Sequence, residues 1–489
     1  GTAWRMRFKR VLCVAEKPTV AKAIANILNR QPASSLRTRS QYNPKYEFPF
    51  NFEGMMVTMV VTSVTGHLME TDFGDAYRKW NSCDPRKLLE ISTPVERHVP
   101  SEKFPLRDTL KEEARKCDTL VCCLDGDREG ENISFEVIDV CLSVNPRMNV
   151  RRARFSACIQ PEIDRAFQRL LPPDKHLSDA VDARSEIDLR LGAAFTRFQT
   201  LSLGKRFEET QGQVLSWGPC QFATLGFIVD RDWKIESFVP EDFWSVALTF
   251  QRENMSVSFN WRRGKIFDHA SCTALYEEML DNGTATVMHV GETEKRRWRP
   301  LPLDTEELQI AASRKLQISS EETMQIAEDL YTKGIISYPR TETQKYKEGT
   351  DILGFIRKQV PSGQWGAFAA RLADGDEFQW PRAGQKDDEA HPPIHPTQFV
   401  DNLEGKPKKL YEFIVRHFLA TCARDAIFVE SSVEIEIAEE IFECKGKAVK
   451  ALNWLEVFPY ERLTDKMIPH FVRGEEFQPT ELNMTQGRT

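Results

Sequence analysis

The sequence has no apolar run approaching the ~18 residues that a membrane-spanning helix requires, which excludes an integral helical membrane protein. It has no Cys-x-x-Cys pair. Its eleven cysteines are odd in number and irregularly spaced, which argues against a disulfide scaffold or a zinc site and for a reducing compartment. There is no G-x-x-x-x-G-K-[ST] loop, so a nucleoside triphosphate partner lacks its usual signature. H-E-x-x-H and G-x-S-x-G are also missing. No repeat of fixed period and no long low-complexity tract occurs. Residues 1–10 (GTAWRMRFKR) are basic, but no apolar stretch of secretory type follows them.

What is present can build several domains: 489 residues, 41% of them hydrophobic and 10% aromatic, enough for real cores. The net charge of −7, taken alone, argues against a nucleic-acid partner. Its distribution argues otherwise. Residues 1–45 hold ten Lys and Arg against Glu16 alone, an excess of nine, which leaves the rest at −16. Phosphate binding depends on local charge, and a solvated basic arm is the plainer alternative.

Residues 10–15 (RVLCVA) form a short apolar run, as in a buried parallel strand. Pro18 then stands at a helix start, with Val20, Ala23, Ile24, Ile27 and Leu28 at helical spacing. Residues 56–64 read as another strand. The strand–turn–helix unit recurs at 119–141, where TLVCCL precedes the acidic turn DGDREGE and a helical stripe through Ile133, Val137, Ile138 and Cys141. Two such units predict an open α/β sheet with its site at the strand carboxyl ends.

The spacing predicts a helix over 179–203, with Ile187, Leu191, Ala194, Phe198 and Leu201 on its core face and Arg184, Arg190 and Arg197 as flanking surface arginines. Residues 243–260 alternate around a polar break like a β-hairpin, and 431–437 like a half-buried strand. Residues 305–332 read as helical, with Ser319 and Glu322 as a capping box and Gly334 as a stop. Residues 359–388, rich in Gly, Pro and acid, read as loop.

Four constellations carry chemistry. Asp125, Asp127 and Glu129 alternate on a turn after a buried strand and can converge on Mg²⁺, an oxygen-seeking cation; a solvated acidic helix cap is the alternative. The same residues with Gly130 and Glu136 approximate an EF-hand loop, but the short apolar TLVCCL is not the helix that motif needs. Glu16 and Lys17 end the first strand and can act as proton donor and phosphate clamp if they lie near the acidic turn. In Ser337–Thr343 (SYPRTET), Pro339 holds Tyr338 extended, and Arg340, Thr341 and Thr343 supply donors for a phosphate; a turn with a half-buried tyrosine is the alternative. His391-Pro-Pro-Ile-His395-Pro cannot be helical. It presents two imidazoles for phosphate contact or proton transfer, or is simply a structural loop.

Taken together, VLCVAEK (11–17), TSVTGHL (62–68), DGDREGENISFE (125–136), RARFS (152–156), DARSEIDLRLGAAFTRFQT (182–200), SWGPCQFATLGF (216–227), EDLYTKGIISYPRTET (328–343), AHPPIHPT (390–397) and LYEFIVRHFLA (410–420) resemble, in order, the segments of a type IA DNA topoisomerase of the eukaryotic topoisomerase III alpha kind. The resemblance implies a multidomain α/β plus α and β fold: a doubly wound Toprim domain within a toroidal core. Its expected parts are a Toprim domain at 8–157, the first half of a helix-rich single-strand groove at 158–235, an outgoing β gate at 236–300, a helical domain with the nucleophile at 301–400, a returning β gate at 401–475 and a link at 476–489.

The resemblance also implies roles. Tyr338 would attack single-stranded DNA and become linked to its 5′ phosphate, Arg340 would hold that phosphate, Glu16 would protonate the leaving 3′ oxygen and Lys17 would polarise the site. Asp125, Asp127 and Glu129 would bind Mg²⁺, His391 would hydrogen-bond the scissile phosphate with His395 and Thr341 close by, and Arg184 and Gln221 would contact the strand. Phe195, Phe198, Trp217 and Phe222 are candidates for stacking on unpaired bases. Covalent storage of the phosphodiester energy needs no ATP, which fits the missing nucleotide loop. Trp217 and Ala223 stand where the family usually has tyrosine and proline. The family continues past this point into a segment with a Gly-Ile-Gly-Thr-Asp-Ala-Thr motif, expected to complete the groove domain begun at about 158, and its tail often carries zinc fingers. Implied partners are single-stranded DNA, a RecQ-family helicase and a small OB-fold regulatory protein. The implied location is nuclear, with a mitochondrial pool if the basic start is the remnant of a leader. The rivals are another Toprim enzyme, such as a nuclease or primase, and a DNA-binding scaffold without catalysis.

Overall fold

The computed structural model describes residues 9–252 and 254–489. Most of the basic segment 1–10, and the start of the expected first domain at residue 8, therefore lie outside the described residues. The chain divides into two compact units. One comprises residues up to 230 together with 303–350 and 384–414; the other comprises 231–302, 351–383 and 415–489.

The first unit opens with strand β1 (Arg10–Ala15), helix α1 (Pro18–Asn29, with proline in its first turn), β2 (Ser35–Leu36), β3 (Lys45–Phe52) and β4 (Met55–Ser63). After β5 (Glu70–Phe73), α2 (Asp75–Arg78), β6 (Val95–His98) and α3 (Phe104–Ala114), the strand–turn–helix unit returns as β7 (Thr119–Cys123), α4 (Arg128–Leu142) and β8 (Asn149–Arg152). The main sheet has the order β2-β3-β4-β1-β7-β8. β1 pairs in parallel with β4 and β7, and β7 with β8. β3 closes one side antiparallel to β4. Central parallel strands must be covered on both faces. Leu12, Val14, Val60, Leu120 and Cys122 join α3 and α4 in one core. The alternate residues Val11, Cys13 and Ala15 are equally buried and point the other way, where α1 packs on β3 and β4.

Three helices follow: α5 (Gln160–Gln168), α6 (Lys175–Leu203) and α7 (Pro219–Glu236). α6 starts earlier than its apolar spacing predicts, because Asp174 caps the N–H groups of His176 and Leu177. Its stripe is a core face only in part: Ala194 packs with Phe73 and Leu88. Ile187 and Phe198 are 56% and 58% exposed. The residues that α6 buries are Ser178, Val181, Ala194 and Arg197. Arg190 and Arg197, expected on the surface, are the anchors. Arg190 donates to the carbonyls of Leu88, Glu90 and Thr93, and Arg197 to those of Arg78 and Lys79. A guanidinium carries five donors in a fixed fork, so it can be buried wherever loop carbonyls need partners.

The second unit is built on a sheet of order β14-β11-β12-β13-β10-β9-β15. Its strands are β9 (Asp242–Arg252) and β10 (Met255–Trp261), which form the expected hairpin, then, beyond α8 (His269–Asn282), β11 (Ala285–Arg297). Before the chain returns to this sheet it forms α9 (Thr305–Ala311), a π-helical turn at Ala312–Leu316 and α10 (Ser320–Thr332) in the first unit, then α11 (Ile352–Lys358) and α12 (Gly366–Asp374) in the second, and α13 (Gly405–Thr421). The sheet is completed by β12 (Ala426–Ile437), β13 (Glu440–Ala451), β14 (Glu476–Phe477) and β15 (Glu481–Arg488). α10 is capped by Ser319, as expected, through the N–H of Glu322. The expected loop at 359–388 is only partly a loop. α12 lies inside it because Phe368, Ala369, Leu372 and Ala373 bury one helical face, a period that the surrounding Gly and Pro obscure.

Candidate active site

The site lies at the carboxyl ends of β1 and β7, where a parallel sheet exposes its ligand edge. β1 runs directly into Glu16 and Lys17, and β7 into the turn 124–127. Parallel register sets Ala15 beside Cys123. The two strand ends are therefore neighbours, and the Asp125 N–H donates to Glu16 Oε2 at 3.3 Å.

The acidic turn is held from below by a buried ion pair. Arg152 and Glu131 are both fully buried, with Nε to Oε2 at 3.0 Å. The remaining Arg152 donors take the carbonyls of Cys122, Leu124, Ala153 and Asp125. At the start of α4, Asp127 caps the N–H of Gly130 at 2.8 Å. A Cβ at Gly130 would come within 2.2 Å of the Asp125 carbonyl oxygen, so the turn closes only over glycine.

Tyr338 reaches this turn from a segment 211 positions further along the chain. Its N–H donates to the Ser156 carbonyl at 3.0 Å, and its hydroxyl donates to Asp127 Oδ2 at 2.8 Å. Tyr331 of α10 packs edge-on against it and donates to Asp125 Oδ1 at 3.3 Å. The His391 ring lies tilted over the Tyr338 ring, with centroids 4.3 Å apart. It is 2% exposed, and neither ring nitrogen has a hydrogen-bond partner among the described residues. A Cβ at Gly126 would lie 2.8 Å from its Cε1, which measures how closely this ring crowds the acidic turn.

A cavity of about 390 Å³ opens over these groups, lined among others by Glu16, Lys17, Asp125, Asp127, Tyr338 and Arg340. Glu129 and Arg184 stand at its wall, joined by an ion pair at 3.0 Å. His67 bridges Glu129 at 3.3 Å and the buried Glu136 at 3.1 Å. Glu136 in turn accepts from Arg97 at 3.0 Å. The remaining expected residues are not among those lining this cavity. The Thr341 hydroxyl donates to Asp388 at 2.9 Å. His395 is buried, and its N–H and carbonyl clasp Ser337. Gln221 is exposed on α7. Trp217 is stacked on Phe195 at 4.6 Å and contacts Phe222 at 5.8 Å, while Phe195 and Phe222 remain exposed.

The electrostatics follow from crowding of like charge. Burial, then Glu16 and Asp127, push the Asp125 carboxyl well above the carboxylate range. Burial and then Asp125 and Asp127 raise the Tyr338 phenol above its ordinary value. Burial alone would lower Lys17, but Glu328, Glu16 and Asp125 outweigh it and raise the ammonium. Burial pulls His391 down to about 4, so its imidazole is neutral at neutral pH. Oxygen donors that repel one another unless a cation lies among them suit a hard divalent ion. Among the described residues no three His, Cys, Asp or Glu side chains converge into a ready cage.

Sequence reasoning missed the supports. Arg152, Glu131 and Glu136 occur in the quoted motifs but carry no local sign of a role. Asp388 lies in the segment read as loop. It accepts from the hydroxyls of Thr341 and Thr343 and from the N–H groups of Ala390 and His391, tying the tyrosine segment to the histidine segment. Isolated bridges from Ile336 to Pro396 and from Leu303 to Ile394 reinforce this tie.

A doubly wound sheet whose acidic turn is faced by a tyrosine from a distant segment defines the class: a Toprim protein with a tyrosine at its acidic turn. Comparison with known proteins agrees. Residues 11–158 match the Toprim domain, which is generally a metal-binding domain, and residues 172–489 match the DNA topoisomerase family. Human DNA topoisomerase 3-alpha is 46% identical over 482 residues, covering 98% of this chain and 48% of its own. The Arabidopsis thaliana DNA topoisomerase 3-alpha is 47% identical over 485 residues, covering 97% and 52%. Full-length topoisomerase I from Thermotoga maritima shares the fold, with a TM-score of 0.70 at 22% identity over 98% of this chain and 72% of that one. The chain belongs to the type IA DNA topoisomerase family and is of the topoisomerase III alpha kind. It spans about half the length of these curated relatives.

Proposed function

We propose that this chain is the catalytic core of an ATP-independent topoisomerase that cleaves and rejoins single-stranded DNA, relaxing negative supercoils and separating joined strands. One observation carries the reading: the Tyr338 hydroxyl points at Asp127, 2.8 Å away, in a cavity that also holds Glu16, Lys17 and Arg340. A phosphodiester entering there meets a nucleophile, a proton acceptor and two cations. Tyr338 Oη forms the new bond to phosphorus as its proton passes to Asp127. The bond from phosphorus to the 3′ oxygen breaks, and Glu16 supplies the proton to that oxygen. Religation is the reverse, so no net proton or external energy is consumed. Lys17 and Arg340 balance charge on the phosphoryl oxygens. His391, neutral and unpartnered over the Tyr338 ring, can donate to the phosphate.

Asp125, Asp127 and Glu129 are the residues that would hold Mg²⁺. Bound there, the ion would relieve carboxylate repulsion and withdraw charge from the phosphate. Arg184, Gln221, Thr341 and His395 extend the strand contacts in this reading. A RecQ-family helicase that supplies single strands, a small OB-fold regulator and a nuclear location complete it, and rest on the family resemblance.

The test is a single strand labelled at its 3′ end, mixed with protein and quenched with detergent. Label on the protein supports the reading, and Tyr338→Phe is expected to remove it. Repeated cutting without attachment would mark another Toprim nuclease. Salt-sensitive binding without cutting would mark a scaffold.

A further inference from the structure

Glu328 on α10 is a carboxylate that neither the metal wall nor the nucleophile uses, yet it lines the same cavity. Its two oxygens are divided between two cations. Oε2 accepts from Lys17 Nζ at 3.1 Å. Oε1 accepts from Arg340 Nε at 2.9 Å and also from its Nη2. The Nε–Nη2 edge is one with which a guanidinium grips a phosphate or carboxylate through two parallel bonds. That edge is already filled.

We propose that Glu328 is a placeholder anion, a positioning residue that holds Lys17 and Arg340 together in the DNA-free protein and yields them when the phosphodiester of a single strand enters. This rests on the topoisomerase reading for the identity of the phosphate. The physical reason is charge. Lys17 and Arg340 repel one another when no anion lies between them, and a carboxylate fixes both heads where a phosphate will need them. Of the acids in this cavity, Glu328 is the one bonded to both cations, so its loss removes a negative charge where the phosphate is held and tightens the grip on it. As a plain stabilising ion pair it would contribute little, because these side chains are partly exposed.

The experiment measures the dissociation constant of a fluorescein-labelled oligothymidylate by anisotropy at several salt concentrations, in the Tyr338→Phe background so that no adduct forms. Glu328→Gln is expected to bind about tenfold more tightly at low salt, with a log–log salt slope steeper by about 0.7, the increment of one single-strand phosphate contact. Glu328→Asp keeps the charge but is too short to span both cations, and is expected to tighten binding about threefold; it is the variant to read if Glu328→Gln does not melt cooperatively. Unchanged or weaker binding in both variants overturns the placeholder. The topoisomerase reading is judged separately, by the adduct in the chain that retains Tyr338. If that adduct is absent while Glu328→Gln still tightens binding, anion exchange stands and the nucleophile assignment falls.

Discussion

Tyr338 and Asp127 are 211 positions apart in the chain and 2.8 Å apart in space. Burial and the neighbouring carboxylates keep the phenol above its ordinary pKa, so at neutral pH it is protonated and must lose its proton as it attacks. Asp127→Asn keeps a hydrogen-bond acceptor but cannot take that proton. Single-turnover adduct formation in magnesium-free buffer, where loss of an ion ligand plays no part, is expected to fall about 100-fold or more, the usual range for general base catalysis. A rate within about fivefold of wild type would remove Asp127 as the acceptor.

Magnesium should stabilise the fold. Asp125 is held toward its protonated form by burial, Glu16 and Asp127, and a divalent ion among these oxygens relieves that strain. Millimolar magnesium chloride is expected to raise the melting temperature by a few degrees over sodium chloride of equal ionic strength, by mass action on the folded state. The shift should vanish in the Asp125→Asn, Asp127→Asn double variant. An equal shift in that variant would move the ion elsewhere.

The buried pair beneath the turn makes a stability prediction. Arg152→Met leaves the Glu131 carboxylate buried without its main partner, and breaking such a pair costs about 3–5 kcal/mol. Denaturant unfolding should report that loss, and Glu131→Gln added to Arg152→Met should recover part of it. A loss below about 1 kcal/mol would mean that the turn is held by other contacts.

His391 predicts an acid limb. Its folded pKa, about 4, lies below the unfolded value near 6.5, so the folded protein binds fewer protons. Its contribution is complete above about pH 6.5 and is lost as pH falls toward 4, amounting to about 3 kcal/mol at most. Stability measured between pH 7 and 4.5 should therefore fall less steeply in His391→Gln than in wild type. Parallel pH profiles would show that the imidazole is solvated rather than buried.

Much of the Toprim half was legible in the residues. Strands 10–15, 56–64 and 119–124 are short apolar runs, and each forms a strand within a residue or so of those limits, because a parallel strand covered on both faces must be apolar throughout. The Ser319 cap and the hairpin after residue 242 were legible for the same local reason. Local patterning failed where burial is decided from outside the element. Of the apolar stripe of α6 only Ala194 is buried, in a small core with Phe73 and Leu88, whereas Arg197 is only 8% exposed because distant loop carbonyls satisfy it. α12 was hidden by the Gly and Pro around it.

The sequence by itself determined the chemical types and their local presentation: carboxylates on a tight turn after a buried strand, and a tyrosine held extended by the proline that follows it. Those follow from backbone sterics and from short-range periodicity. Tertiary structure alone decided that Tyr338 faces Asp127, that Glu328 occupies the two cations, that Asp388 ties two segments together and that Arg152 carries the turn. Each of these is a bond between segments far apart in the chain. Such bonds form only once the packed core has brought the segments together, and no pattern of neighbouring residues records them.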